Sequence, residues 1–382
     1  MIERRTIGLC MIVKDEAHIL RRCIGAVRPL LDFALIVDTG SSDGTPLLAA
    51  QILDELKLSG QVVLHPWRDF AHNRSHALAL MRQHSAIDYT LMIDADDQVE
   101  MASDFDPAAF KQGLGGDVYS ITTRMGPIAY LRPQLLSNRK PFFFKAVLHE
   151  FLTLGEPYDS EVAKGIEVRS IQDGARSRMA DKFARDAQTL ERALETETDP
   201  FLRARYTFYL AQSYRDCGEA EKSIAAYLKR AEMGFWDQEV YCSLLYAARQ
   251  MHANGADTEA VLAAYLRASA LCPDRAEALH NASRLCRLTQ QYGRGADIGE
   301  KGLGLAPPER GLFVETWIYS YGLRDEFAVN AYWADRWRES LDVCLELLEQ
   351  DDLPLAERKR VVANARFSLN KLAPEVSGGA RA

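Results

Sequence analysis

Short apolar runs alternate with helical stretches through the first half of the chain. The apolar runs cover residues 7–13, 34–37, 61–64, 89–93 and 118–122, and the helical stretches cover residues 17–28, 45–57 and 73–83. Each run is almost continuously apolar, as expected of strands that are buried on both faces of a parallel sheet. The pattern predicts an α/β domain over residues 1–178, with a mostly parallel sheet covered by helices.

The second half of the chain loses the β-type runs and becomes rich in Ala, Leu, Arg and Glu. Similar stretches recur at residues 205–231, 239–268, 276–305 and 326–349. Their spacing of ~34 to 38 residues is typical of tetratricopeptide-like helix-turn-helix repeats. We therefore predict an all-α helical-repeat domain over residues 179–372, with an ordinary helical bundle as the alternative. Residues 373–382 are predicted to be a disordered tail.

Composition narrows the classes of protein that fit. The chain has 382 residues, 47% of them hydrophobic, and a net charge of -8 without a basic stripe, which argues against nucleic-acid binding. Its apolar runs are too short for a membrane span, and its start lacks a signal-peptide core. Seven scattered cysteines form no Cys-x-x-Cys pair, so reduced thiols are expected. These features predict a cytoplasmic protein.

Polar residues follow the predicted strands at the point where each strand ends. Asp94 and Asp96 come directly after the fourth run, where two carboxylates suit a Mg²⁺ or Mn²⁺ ion that also binds substrate phosphates. Taken alone, an Asp-x-Asp pair is more often a solvated turn. The Gly-, Ser- and Asp-rich segment 38–45 follows the second run and opens a helix at Thr45, so by itself it is equally a capping turn. Ligands bind at the carboxyl ends of such strands, so together the segments predict a nucleotide site.

Five ordered motifs then make the first part of the chain resemble a family 2 glycosyltransferase with the Rossmann-like GT-A fold. They are residues 11–16 (MIVKDE), 36–45 (IVDTGSSDGT), 67–78 (WRDFAHNRSHAL), 94–96 (DAD) and 147–150 (VLHE). The resemblance implies an inverting transfer of a sugar from a nucleoside-diphosphate sugar, with UDP-sugar favoured and GDP-sugar as the alternative. The helical second half is similar to the extension that follows this domain in bacterial members.

The resemblance also implies where the donor binds. It places the nucleotide against the first strand ends, at Val13, Glu16, Asp38 and Asp43, with Asp94 beside them. Many family members carry a second acidic residue where this chain has Thr39, which puts uridine specificity in doubt.

Three further residues complete the predicted site. Arg74 opens the third helix, where a cation can face a diphosphate, although a surface arginine is the alternative. His149 is assigned to the metal with Asp96, and Glu150 is assigned as the general base. The reverse assignment and a purely structural pair both stay open. Asp69 is expected either to cap the third helix or to bind ligand.

Three functions compete at this stage. The first is a metal-dependent glycosyltransferase whose acceptor is a peptide, a protein or a glycan, with the helical half either docking that acceptor or forming a homodimer. The second is an inactive, nucleotide-responsive scaffold for the repeats. The third is a nucleotidyltransferase, which the absence of a Gly-rich loop followed by Arg and Lys near the N-terminus disfavours.

Overall fold

The computed structural model describes residues 5–126, 128–308 and 311–373. Contacts divide the chain into two compact units, Met1–Glu197 and Thr198–Ala382. The domain boundary at residue 178 stays a prediction, and the predicted tail lies outside the described residues except for Ala373. Within these residues, no helix combines the length and the apolar character that a membrane span requires.

The first unit contains all the strands of the described residues. They are β1 (Ile7–Val13), β2 (Phe33–Asp38), β3 (Gly60–Leu64), β4 (Tyr89–Met92), β5 (Asp97–Met101), β6 (Val118–Met125), β7 (Ile128–Ser137), β8 (Phe143–Lys145), β9 (Phe151–Thr153) and β10 (Ser160–Ser170). Its helices are α1 (Leu20–Val27), α2 (Thr45–Glu55), α3 (Phe70–Met81), α4 (Pro107–Gln112) and α5 (Lys182–Thr196). The five strands and three helices predicted in this region are therefore present, with ends that shift by a few residues.

Eight of the described strands form one sheet in the order β3-β2-β1-β4-β7-β6-β10-β5. β3, β2, β1 and β4 are mutually parallel, as predicted. β7 runs antiparallel to both β4 and β6, whereas β10 is parallel to β6 and antiparallel to β5. β8 and β9 form a separate antiparallel pair. The first half of the sheet is thus parallel and the second half is mixed.

Burial on both faces explains the continuous apolar runs. Leu9 and Met11 of β1 join the core that includes residues of α1 and α2, whereas Cys10 joins the core that includes residues of α3. Successive side chains of a strand point to opposite faces, so both faces of β1 are covered. Asp69 caps α3 by accepting a hydrogen bond from the backbone N–H of His72 at 2.7 Å, which confirms the capping alternative.

β7 was absent from the predicted strands because its sequence breaks the apolar pattern. It contains Arg132 and Pro133, and proline normally disfavours a central strand. The pairing between β6 and β7 shifts register between Tyr119 and Ser120, where Ser120 faces Pro133. An irregularity of this kind accommodates a residue that has no N–H to donate.

The second unit is helical throughout its described residues, apart from turns and loops. Its helices are α6 (Pro200–Asp216), α7 (Ala220–Ala231), α8 (Asp237–Ala253), α9 (Thr258–Leu271), α10 (Glu277–Leu288), α11 (Tyr292–Glu300), α12 (Leu323–Trp333), α13 (Trp337–Glu349) and α14 (Leu355–Leu372). The pairs α6 and α7, α8 and α9, α10 and α11, and α12 and α13 correspond to the four predicted copies. A helical region that resembles tetratricopeptide repeats is therefore confirmed.

A serine contact recurs inside three of these helix pairs. The hydroxyls of Ser223, Ser283 and Ser340 donate to the backbone carbonyls of Ala211, Gly295 and Ala328 at 2.8 to 2.9 Å. Each contact joins the two helices of one pair across the same sequence separation of 12 residues. Small residues at equivalent positions let the paired helices approach closely, which supports the repeat over an irregular bundle.

All seven cysteines lie in the described ranges, and none forms a disulfide. Six are buried, and Cys217 at the end of α6 is exposed. Burial raises the pKa of the Cys10 and Cys242 thiols to about 12.

Candidate functional site

The carboxyl ends of β1 and β2 are joined by hydrogen bonds between the loops that follow them. The backbone N–H of Asp15 donates to Ser41 Oγ at 2.8 Å, and that of Glu16 donates to Thr45 Oγ1 at 2.9 Å. In return, Asp15 Oδ1 accepts from the backbone N–H of Ser42 at 2.6 Å. β1 and β2 are parallel neighbours, so their carboxyl ends lie side by side. The hydrogen bonds therefore hold the two loops together as one rim.

Asp38 and Asp43, two predicted nucleotide ligands, both bind the protein itself. Asp38 Oδ1 accepts from the backbone N–H groups of Gly40 and Ser41, each at 2.9 Å. Asp43 accepts from the backbone N–H and the hydroxyl of Thr45 at 3.0 and 2.5 Å. Burial opposes the shift, but these hydrogen bonds hold the pKa of Asp43 below its usual value. Both carboxylates therefore shape the loop, and their contact with a nucleotide stays a prediction.

Thr39 and Val13 are joined by two hydrogen bonds at the ends of β2 and β1. The Thr39 hydroxyl and backbone N–H both donate to the carbonyl oxygen of Val13, at 3.1 and 2.9 Å. Both residues are buried. The threonine that stands where many family members have a second acidic residue thus donates its hydroxyl proton to a hydrogen bond within the protein.

Asp94 lies between two arginines just after β4. Arg74 Nη2 donates to Asp94 Oδ1 at 2.5 Å, and Arg132 Nη2 donates to Asp94 Oδ2 at 2.7 Å. The Arg74 side chain is 5% exposed and the Arg132 side chain is 29% exposed. Burial opposes ionisation, yet the two guanidinium groups hold the pKa of Asp94 well below its usual value. Asp94 is therefore a fully paired carboxylate.

Glu150 belongs to the same cluster, which brings three of the predicted site residues together. Arg74 Nε donates to Glu150 Oε1 at 2.6 Å, and the glutamate side chain is 12% exposed. Arg74 is thus buried and holds Asp94 and Glu150 at once, so the surface alternative for this arginine is wrong. His149, next to Glu150, is exposed and has a φ of 51°.

Asp96 and Glu16 face the same short segment after β10. The backbone N–H of Ala175 donates to both oxygens of Glu16 at 3.2 Å. A Cβ atom at Gly174 would lie 3.2 Å from Glu16 Oε1 and 3.3 Å from Asp96 Oδ2, so the glycine allows this close approach. Burial and, in smaller part, the charge of Asp96 raise the pKa of Glu16 to about 7. Burial and the charge of Asp94 also raise the pKa of Asp96.

Ion pairs and backbone contacts hold that segment in place. Arg22 donates to both oxygens of Asp173 at 2.6 and 2.7 Å, and His18 Nε2 lies 3.0 Å from the Asp173 carbonyl oxygen. The backbone N–H of Ile171 donates to the carbonyl oxygen of Asp96 at 3.1 Å. The segment after β10 therefore belongs to the site, although it follows the Asp-x-Asp motif by about 80 residues.

Asp97 and Arg132 also belong to this cluster, and neither is among the site residues predicted from the sequence. Asp97 Oδ2 accepts from the backbone N–H of Asp94 at 3.2 Å and from Arg132 Nη1 at 3.3 Å. Burial and the nearby Asp94 raise its pKa to about 7. The available signals were the adjacent aspartates Asp96 and Asp97 after the fourth strand, and an arginine inside the largely apolar stretch 128–136. The described residues contain no group of three or more His, Cys, Asp or Glu arranged to hold a metal, so the pairing of Asp96 with His149 stays a prediction.

Residues 9–107 match the family model described as glycosyl transferase family 2. The N-terminal part of the chain therefore contains a family 2 glycosyltransferase domain, and the class of protein is a glycosyltransferase, as the resemblance implied.

Named relatives extend the comparison. The chain is similar to a TPR repeat-containing protein of Synechococcus elongatus, with 27% identity over 328 residues that cover 79% of this chain and 76% of that protein. An uncharacterized glycosyltransferase of Rickettsia felis is 31% identical over 93 residues, which cover 24% of this chain and 29% of that protein. The structure of S. aureus TarS in complex with UDP-GlcNAc matches 65% of this chain and 87% of that one, with a TM-score of 0.34 and 12% identity.

Proposed function

We propose that this chain transfers a sugar from a nucleoside-diphosphate sugar to an acceptor, with inversion at the sugar and with the help of a divalent cation. The observation that carries the proposal is the position of Glu16, Asp94 and Asp96. All three lie inside the region that matches family 2 glycosyltransferases. They also lie at the carboxyl ends of the parallel strands, where ligands bind in sheets of this kind.

The carboxylates of Glu16 and Asp96 fit a Mg²⁺ or Mn²⁺ ion. Both face Gly174, and among the described residues neither is bonded to a cationic side chain. Mg²⁺ is usually held by one or two carboxylates, while water and substrate phosphates complete its coordination. The lack of a three-residue cage is therefore compatible with the ion. A bound cation would offset the negative charge of the departing diphosphate.

The two arginines around Asp94 have different roles in this proposal. Arg74 is almost fully buried and already holds Asp94 and Glu150, so it positions these carboxylates. Arg132 is more exposed and pairs with Asp94 and Asp97. It is the guanidinium better able to reach a donor phosphate, because a planar fork of N–H groups suits phosphate oxygens.

Glu150 is the proposed general base. Arg74 engages Oε1, and Oε2 takes no hydrogen bond from the described residues. A carboxylate that is fixed through one oxygen presents the other in a defined direction, which favours removal of a proton from the acceptor hydroxyl. The proton would reside on Oε2 while the acceptor oxygen attacks the anomeric carbon and the nucleoside diphosphate leaves.

Thermal stabilisation by donors tests the site directly. The purified chain is heated with UDP-, GDP- and other nucleotide sugars, each with and without Mn²⁺ or Mg²⁺. We expect one UDP- or GDP-sugar to raise the melting temperature only when the metal is present, since a ligand at a hundred times its Kd adds about 2.7 kcal/mol. If no nucleotide sugar shifts the transition with or without metal, the chain lacks the proposed donor site and the transferase proposal is wrong.

Glu150→Gln separates catalysis from donor binding. The variant should keep the metal-dependent thermal shift and lose transfer by at least about a hundredfold. Glu156→Gln, an exposed acidic residue of the same region, is the control and should behave as wild type. A Glu150→Gln protein that fails to bind the donor would assign Glu150 to the donor or metal site instead.

A further inference from the structure

The helical unit contains a cavity of about 430 Å³ that lies outside the site described above. Its described lining residues are Pro307, Thr316, Trp317, Tyr319, Ser320 and Asp352. The volume lies within the usual range for small-molecule sites in proteins. The lining residues carry two aromatic rings, three hydroxyls and one carboxylate, and none of the described members is cationic.

Trp317 forms a rigid wall of this cavity. Its side chain is 41% exposed, although it packs edge-on against His280 with ring centroids 5.0 Å apart. The ring centroids of Tyr321 and Trp317 are 5.7 Å apart. A Cβ atom at Gly322 would come within 2.5 Å of the Trp317 ring, so the indole packs directly on the glycine backbone. The indole is therefore held in place while part of its surface stays open.

The backbone beneath Trp317 is fixed by a buried ion pair. Residues Ile318–Gly322 form a π-helical turn, a rare conformation that is frequent at functional sites. The Tyr319 hydroxyl donates to Glu277 Oε2 at 2.9 Å and accepts from the backbone N–H of Ala276 at 3.2 Å. Glu277 in turn pairs with Arg275 at 2.7 Å, and both side chains are fully buried. The turn that presents Trp317 thus rests on a buried, hydrogen-bonded ion pair.

We propose that this cavity binds a neutral carbohydrate and serves as a docking site for a glycan acceptor. The C–H face of a pyranose ring carries partial positive charge and suits the negative face of an indole. The Thr316 hydroxyl and the Asp352 carboxylate can bond the sugar hydroxyls around its edge. The Ser320 hydroxyl donates to the Trp317 carbonyl oxygen at 3.2 Å and can accept a hydrogen bond from the sugar. The same aromatic and acidic groups can attract an organic cation, but a cation site gains little from two hydroxyls.

The carbohydrate site deepens the proposed function because it names a glycan as the acceptor class. Only the role of the bound glycan as an acceptor rests on the proposed function. Sugar binding itself requires neither donor nor metal. A failure of sugar binding therefore leaves the donor and metal measurements unaffected, and a failure of donor binding leaves the carbohydrate site standing.

The test is a titration of the full chain with cellobiose, maltose and N,N'-diacetylchitobiose, followed by intrinsic tryptophan fluorescence and by calorimetry, without nucleotide or metal. We expect saturable binding of at least one disaccharide. Trp317→Ala should abolish it, and Asp352→Ala should weaken it about tenfold, the loss of roughly one hydrogen bond to a charged group. Because Asp352 is exposed, its variant should fold even if the tryptophan variant does not.

Trp333→Ala is the matched control, since Trp333 is also exposed, at 59%, but does not line the cavity. This variant should bind the sugar with unchanged affinity. Choline serves as the probe for a cation site. The proposal is overturned if none of the three disaccharides binds, if Asp352→Ala and Trp317→Ala bind as wild type does, or if choline binds at this site in place of the sugars.

Discussion

Each unit of the chain contains a buried cluster of charged residues, and the two clusters differ in how their carboxylates are paired. In the helical unit, Glu277 accepts five hydrogen bonds, from Nε and Nη2 of Arg275, from the hydroxyls of Tyr241 and Tyr319, and from the backbone N–H of Glu315. In the first unit, Asp96 lies near Asp94 and Glu16 lies near Asp96, and among the described residues neither Asp96 nor Glu16 is bonded to a cationic side chain.

The difference appears as opposite pKa shifts. Burial opposes ionisation of Glu277, but the hydrogen bonds and charge of Arg275 lower its pKa, so the ionised form stabilises the fold. Burial and Asp94 raise the pKa of Asp96, so its ionised form costs stability at neutral pH. A fold can dispense with an uncompensated carboxylate. The proposed divalent cation would supply the missing positive charge at this site.

Asp96→Asn should give the largest effect and should separate activity from stability. We expect metal-dependent turnover to fall on the order of a thousandfold, since a metal contributes several kcal/mol to such a reaction. The free energy of unfolding should stay unchanged or rise, because a costly charge is removed. Turnover and guanidinium unfolding of the same preparations measure both. Asp104→Asn, in an exposed turn, is the control, and normal turnover in Asp96→Asn would contradict the metal assignment.

Glu277→Gln should have the opposite consequence. It leaves the fully buried Arg275 without its counter-charge, and breaking a buried pair costs roughly 3–5 kcal/mol. Guanidinium unfolding followed by far-UV circular dichroism measures the loss. Glu259→Gln removes an exposed pair with Arg294 and should cost less than about 1 kcal/mol. Equal losses in the two variants would show that the buried cluster contributes no more than a surface pair.

Acid should weaken the helical unit through His280. Burial lowers the pKa of this histidine to about 4 from an ordinary value of 6.5, and its Nδ1 has no partner among the described residues. The unfolded chain therefore binds the proton first, so this contribution is complete above pH 6.5 and is lost as the pH falls towards 4. The expected loss is about 3 kcal/mol.

Unfolding free energies of wild type and His280→Leu, measured across that pH range, isolate the histidine contribution. The variant should show a flatter pH dependence than wild type. Identical slopes in the two proteins would show that other groups govern the acid response.

Ser283→Ala should give the smallest effect. It removes the hydrogen bonds with the Gly295 carbonyl at 2.8 Å and with Asn330 Nδ2 at 3.1 Å, for a loss of about 1 kcal/mol. Ser243→Ala is the matched variant, because among the described residues that hydroxyl bonds only within its own helix, to the Glu239 carbonyl at 2.7 Å. A greater loss in Ser243→Ala than in Ser283→Ala would mean that the recurring contact does not set the helix pairing.

The local sequence pattern was sufficient to predict the parallel half of the sheet and the helix pairs. β1 and α2 could be predicted because continuous apolar runs and a Thr-Pro helix start act within a few residues. β7 and β10 could not be predicted in this way, because their pairing with distant strands outweighs the polar residues that they carry.

Some residues of the candidate site could likewise be predicted from local sequence motifs, and others could not. Asp94, Arg74 and Glu150 follow recognisable motifs, and the structure brings them together. The contribution of Ala175 is a backbone N–H, which any residue except proline can supply, so no side-chain motif identifies it. The full environment of Glu16 therefore required the three-dimensional structure.

The exposed thiol at the end of α6 offers a chemical handle that the native chain already contains. Thiolates are the species that react with maleimides, and the buried cysteines are protected from such reagents by both inaccessibility and raised pKa values. A fluorophore should therefore attach selectively to Cys217 without any engineered substitution. Ligand binding to the helical unit should then be measurable as a change in the fluorescence emission of a single dye.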